Sequence, residues 1–130
     1  MTTIISCLLV LCILPIACAW IAGYFRHKQF GAVDNKEPRV QSAQLTGAGA
    51  RAVAAQANCW EALALFSAAL LALVIAGVAL ESIASLAIAF TLLRLIYIAL
   101  YIADRDALRS LVFIGGFGIC MYLFYLALSN

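Results

Sequence analysis

Polar side chains are sparse in this sequence, and those inside its oily stretches recur at helical spacing. Arg51, Asn58 and Glu61 fall at i, i+7 and i+10, and Arg94, Tyr97 and Tyr101 at i, i+3 and i+7. Each set therefore shares one stripe of a helix. An ionisable group inside a membrane segment is costly unless it is paired or hydrated. A carboxylate, an amide, two guanidinium groups and two phenols in such surroundings suit the binding of a small polar ligand. Arg109 belongs with them. A guanidinium stays charged at any working pH and offers a planar fork of donors, which suits a carboxylate, a phosphate or a thiolate. Its alternative role is an interfacial anchor whose head reaches lipid phosphate.

These residues sit in a chain of 130 residues, 67% hydrophobic and only 11% charged, with a mean hydropathy of +1.09. A soluble domain is about a quarter charged. That argues against a soluble enzyme, a secreted disulfide scaffold or a disordered tail, and for one integral membrane domain over 1–130. Crossing a bilayer takes roughly 20 apolar residues in a helix. The apolar runs predict an all-α four-helix membrane bundle, with helices at about 3–25, 46–80, 83–103 and 107–128. The second helix is expected to begin in the Ala-rich segment before its apolar part, since alanine has the highest helix propensity. Ala62, Ala64, Ala68, Ala69 and Ala72 continue that helix with small residues that allow close helix approach. The Gly115-Gly116-Phe117-Gly118 stretch could serve the same purpose in the last helix.

Ala17-Cys18-Ala19 resembles a small-residue cleavage site, yet the positive charge follows the apolar run instead of preceding it, unlike a signal peptide. The first helix is therefore expected to be retained. Orientation follows from the basic residues. Arg26, Lys28, Lys36, Arg39, Arg105 and Arg109 lie in the first and third connections, with Arg51 close by. The positive-inside rule places 26–45 and 104–109 in the cytoplasm and both termini on the opposite side. Glu61 lies ten residues beyond Arg51 and Arg94 ten residues before Asp104, so each sits roughly 15 Å from the cytoplasmic end of its helix. Opposite charges at equal depth predict a Glu61–Arg94 ion pair or a shared ligand. The pair could be structural only, but a buried pair is weak evidence for stability, and Asn58, Tyr97 and Tyr101 beside it favour a ligand-sized cleft. One carboxylate beside one arginine is a thin relay for a proton or ion pathway.

Other candidates carry less. Cys7, Cys12, Cys18, Cys59 and Cys120 all lie in apolar runs without CxxC or Cys/His spacing, and read as small buried hydrophobes. His27, in the cluster Arg26-His27-Lys28, reads as a solvated loop residue. No catalytic triad, phosphate loop or metal-ligand cluster is visible, so no metal is expected. The basic loops lack interleaved aromatics, and nucleic acid is not an expected partner.

The segment Asn58-Cys59-Trp60-Glu61, the run Arg94-x-x-Tyr97-x-x-x-Tyr101 and the pair Arg109-Ser110, in that order, resemble the MAPEG family, the membrane-associated proteins of eicosanoid and glutathione metabolism. Asp34-Asn35-Lys36-Glu37-Pro38-Arg39 is similar to the first loop of bacterial members, which implies a bacterial inner membrane. The resemblance implies a homotrimer in the lipid bilayer, with glutathione as co-substrate between adjacent subunits near the cytoplasmic face and no metal. Asn58 and Glu61 would hold the glutathione backbone and amino group, with Arg94 beside them. Arg51, or a nearby basic residue such as Arg39, would hold a carboxylate, and Tyr97 and Tyr101 would line the cleft. Arg109, with Tyr101, would stabilise the thiolate for attack on a lipophilic electrophile or hydroperoxide. Eukaryotic members carry arginine one turn before the asparagine, where this chain has Ala54. A non-catalytic scaffold or lipid-binding member of the same fold is the alternative.

Overall fold

No water satisfies a backbone N–H or C=O in hydrocarbon, so an apolar chain of this kind closes its hydrogen bonds within helices. The computed structural model, which describes residues 1–130, has five: α1 (Thr2–Phe30), α2 (Pro38–Ala43), α3 (Gly47–Ile75), α4 (Ala84–Ile102) and α5 (Asp106–Ser129). A 3₁₀ turn, Leu80–Ile83, precedes α4. Of 104 backbone hydrogen bonds, 89 lie within regular elements, and there are no strands. Four helices, all but α2, are long and apolar enough to cross a membrane. The protein is an all-α integral membrane four-helix bundle, as its hydropathy requires.

Helix ends differ from the sequence expectation for local reasons. α1 continues to Phe30, so Arg26, His27 and Lys28 form its last turns, where cations suit the negative end of the helix dipole. α3 stops at Ile75, before the polar Glu81-Ser82. There Gly77 adopts φ 74°, Val78 N–H donates to Leu73 O at 3.0 Å, and Gly77 N–H donates to Val74 O at 3.1 Å. This pair of bonds is a Schellman terminus, which requires a left-handed residue at the position glycine fills. The α4–α5 link repeats the device without glycine. Arg105 N–H reaches Leu100 O at 2.9 Å and Asp104 N–H reaches Tyr101 O at 3.2 Å, with Asp104 itself at φ 62°.

Small residues on α3 set its closeness to α1. Ala52, Ala55 and Ala69 are fully buried and Ala62 nearly so, whereas Cys18 and Ala22 face them from α1. Ala64 and Ala68 point outward. Phe66 of α3 stacks on Phe90 of α4, with centroids 4.5 Å apart and planes within 7°, and fixes the centre of the core. The outer surface is oily: Leu9, Ile75, Leu111 and Leu128 are 61–88% exposed. Such a surface belongs in lipid, where apolar side chains face the solvent they match. The basic side chains gather at one end, formed by the C-terminus of α1, α2, the start of α3 and the α4–α5 link.

Candidate functional site

α4 carries the polar stripe that its sequence spacing predicts. The Arg94 guanidinium carbon lies 4.4 Å from the Tyr97 ring centre and 5.8 Å from that of Phe90. The Tyr97 and Tyr101 rings meet edge to face at 5.5 Å. One turn into α5, the Arg109 guanidinium lies 4.2 Å over the Tyr101 ring. Cations over aromatic faces are held by the ring quadrupole, so the four side chains form one ladder, Arg94–Tyr97–Tyr101–Arg109, rising toward the basic end. The chain's two ion pairs are Met1 N with Glu81 and Arg51 with Asp104. Neither involves Arg109, which is left without a carboxylate partner.

The expected Glu61–Arg94 ion pair does not form. Arg94 Nη1 donates to Asn58 Oδ1 at 2.8 Å, and Asn58 Nδ2 donates to Glu61 Oε2 at 3.1 Å. Asn58 stands one turn before Glu61 on the same face. Its amide offers an acceptor to the guanidinium and a donor to the carboxylate, and so fits between them. Arg94 is only 2% exposed, whereas Glu61 faces outward. Equal depth placed the two charges at one level, but their rotations about the helix axes separate them.

Arg51 also departs from expectation. It lies on the Asn58 side of α3 but about two turns nearer the basic end, and it reaches across to the terminus of α4. Its Nε donates to Ile102 O at 3.2 Å, and its Nη1 lies 3.3 Å from Asp104 Oδ2. It pins the α4–α5 turn and shares a small crevice with Tyr101 and Arg109.

Three cavities collect the remaining residues. Asn58, Glu61 and Arg94 line one of about 170 Å³, walled by Leu65, Phe90, Phe113, Gly116 and Phe117. Tyr97, Tyr101, Arg109 and Ser110 line another of about 420 Å³ between α4 and α5. Phe113 borders both. Arg39 joins neither. It is exposed on α2 and lines a third cavity of about 490 Å³ with Arg26, Ser42, Gln56 and Trp60. Arg26 is a residue that the sequence reading passed over as part of a basic loop. Its Nη1 donates to Pro38 O at 3.4 Å, and its shielded Nε has no partner. The signal was its register: Ala19, Ala22 and Arg26, at i, i+3 and i+7, all line that cavity.

No group of three His, Cys, Asp or Glu side chains is arranged to hold a metal ion. His27 is exposed on α1, and the five cysteines are free thiols, with only Cys12 exposed. Chemically, the arrangement offers an anion-seeking arginine over a phenol, an amide–carboxylate pair, and two further arginines beyond α3.

A model of the MAPEG family matches residues 3–129, nearly the whole chain. No curated protein and no solved structure matches it.

Proposed function

The chain belongs to the MAPEG family, whose members are membrane proteins of glutathione-related chemistry, and from that premise we propose that it is a glutathione-dependent transferase or peroxidase acting on lipophilic substrates. The observation that carries this reading is Arg109. Its guanidinium is held by Tyr101 at the wall of a cavity, with no carboxylate to neutralise it.

The chemistry needs such a group. A free thiol has a pKa near 8.5, so roughly 3% is thiolate at pH 7. A guanidinium that lowers that value by about two units contributes about 2.7 kcal/mol and makes thiolate the majority form. In this reading Arg109 stabilises the sulfur anion and the Tyr101 hydroxyl lies beside it. In conjugation the thiolate attacks an electrophilic carbon and the leaving group departs with the bonding pair. In peroxide reduction it attacks the terminal oxygen, the O–O bond breaks and the alkoxide leaves as the alcohol; a second glutathione thiol then attacks the resulting sulfenic sulfur, giving glutathione disulfide and water. The bilayer supplies the other substrate, because apolar electrophiles concentrate there.

Asn58 and Glu61 suit the peptide backbone and amino group of glutathione, with Arg94 fixing the Asn58 amide and Tyr97 lining the cleft. Arg51 is already engaged by Asp104, so a glutathione carboxylate falls to Arg39 and Arg26. Those two lie in a different cavity from Asn58 and Glu61. In the trimer that the family resemblance implies, the α1–α2 side of one copy would stand against the α4–α5 side of the next, and one tripeptide could then touch both groups. The separate cavities are compatible with glutathione bound between subunits; the number of subunits, three, rests on the family resemblance alone. The positive-inside rule supports the basic end being cytoplasmic.

An ultraviolet difference titration of the purified protein with glutathione near neutral pH tests the reading, since thiolate absorbs where thiol does not. Thiolate absorbance that saturates in the wild type and falls in Arg109→Ala, with glutathione still bound, is the expected result. Glutathione that binds without ionising would transfer the protein to the non-catalytic, lipid-binding alternative.

A further inference from the structure

Alanine fills much of the close contact between α1 and α3, but at one level two thiols meet there. Cys18 of α1 is fully buried and Cys59 of α3 is 3% exposed, and the Cys59 thiol donates to the Cys18 sulfur. Both are free thiols. A disulfide needs Cα atoms within about 7 Å of each other. Helices whose contact is lined by small residues come that near. Ala55 and Ala62 stand at i−4 and i+3 from Cys59 on the same face of α3, and both are buried in the same core cluster as the two thiols.

The pair has a charged neighbour. Arg94 lies close enough to Cys59 for its charge to act there, and its Nε and Nη2 are shielded from solvent without a hydrogen-bond partner. A cation beside a thiol is the setting in which the reactive thiolate forms. The surroundings also offer a way in. Ala19, next to Cys18, and Ala57 and Trp60, on either side of Cys59, line the cavity of Arg26 and Arg39. Pro15 lies inside α1, one turn before Cys18. Lacking an N–H, it leaves the Leu11 carbonyl without its helical bond, so this turn opens more readily than the rest of the helix. Both thiols are sealed from water in the resting fold, and the oxidant that suits them is one that dissolves in the bilayer.

We propose that Cys18 and Cys59 form a redox-active dithiol, which a lipophilic hydroperoxide oxidises to a disulfide that staples α1 to α3. One sulfur, as thiolate, attacks the terminal oxygen of the hydroperoxide. The O–O bond breaks, and the alkoxide leaves and takes up the proton that the thiol released, as the alcohol. The second thiol then attacks the sulfenic sulfur. The S–S bond forms, and hydroxide leaves with the second thiol's proton, as water. The two sulfurs give up two electrons, which reduce the peroxide. This inference goes beyond the function proposed above and is independent of it, since the step needs neither Arg109 nor a bound tripeptide.

The test treats the full chain, in phosphatidylcholine nanodiscs and without glutathione, with cumene hydroperoxide. The protein is then unfolded and labelled with iodoacetamide. Of its five free thiols, three should still take the label, and proteolysis should recover one pair of peptides joined through Cys18 and Cys59. Dithiothreitol should restore all five. Cys18→Ala should form no disulfide, whereas Cys12→Ala, which removes the exposed thiol, should form the same one as the wild type. The oxidised wild type should also unfold at a higher temperature, because a cross-link restricts the unfolded chain. Five labelled thiols after treatment overturn the proposal, as does a disulfide through Cys7, Cys12 or Cys120, or one between copies. An unfolding temperature lowered by oxidation overturns it too, since the bond would then be forced on the fold. If Cys18→Ala does not fold, the joined peptides of the wild type still decide. A protein that forms this disulfide but binds no glutathione supports the dithiol and overturns the glutathione reading instead.

Discussion

Arg94 and Arg109 are the same side chain in two settings, and the difference decides what each can do. Arg94 is 2% exposed and wedged between rings, whereas Arg109 stands on the Tyr101 ring at a cavity wall. Loss of Arg109 as Ala should cost about 25-fold in turnover at pH 7, the ratio between majority and minority thiolate. The deficit should shrink as pH rises past the free thiol's own pKa, where thiolate forms unaided. A pH–rate profile of wild type and variant measures this, and a deficit constant with pH would remove thiolate stabilisation as the role of Arg109. Asn58→Leu should lower stability by about 2–3 kcal/mol, because it strands a buried guanidinium and frees Glu61; thermal unfolding in detergent reads the loss. Asn58, Arg94 and Tyr97 were legible in the sequence because polar groups at helical period in apolar runs have few uses. The Glu61–Arg94 pairing was misread because depth along a helix is countable from sequence, whereas rotation is set by packing. Arg26 was missed because the register of a helix end depends on where the helix stops.

At the scale of elements, close approach and chain reversal put the site residues in place. Gly49 of α3 lies so near α1 that a Cβ there would stand 2.9 Å from Phe25 Cβ and 3.0 Å from Leu45 Cδ2, whereas Gly118 of α5 has open space around it. Gly49→Ala should therefore lower the unfolding temperature and Gly118→Ala leave it equal or raise it, as removal of a helical glycine does when nothing is crowded. The α4–α5 turn makes a different prediction. Asp104 holds a left-handed conformation that costs an L residue roughly 1–2 kcal/mol, against a partly exposed contact with Arg51 of the kind worth about 0–1 kcal/mol. Asp104→Gly should be neutral or mildly stabilising, and Asp104→Val destabilising, in the same thermal measurement. A destabilised glycine variant would mean that the Arg51 contact outweighs the backbone strain. Helix existence was readable from hydropathy alone. Helix ends were less so, because the Gly77 and Asp104 termini depend on two or three local hydrogen bonds that leave little mark on an apolar profile.

For the whole molecule, the prediction is assembly. Arg26 and Arg39 line one side of the protomer and Asn58, Glu61 and Arg94 another; if the homotrimer proposed above forms with glutathione between its copies, native mass spectrometry from mild detergent should give three times the protomer mass, and glutathione should promote that species. A monomer that binds glutathione with full affinity would exclude a site shared between copies. The sequence by itself determined the membrane bundle, the number of long helices and the stripes of polar residues, since all three follow from composition and from periods of 3.6 residues along one dimension. Only the tertiary structure decided that Asn58 stands between Arg94 and Glu61, that Arg51 serves the α4–α5 turn, that Arg26 shares a cavity with Arg39, and that one edge of Arg94 is left without a partner. Those facts depend on the rotation and spacing of helices against one another. Close packing of alanines, cysteines and stacked phenylalanines sets both, and no residue's neighbours in sequence encode them.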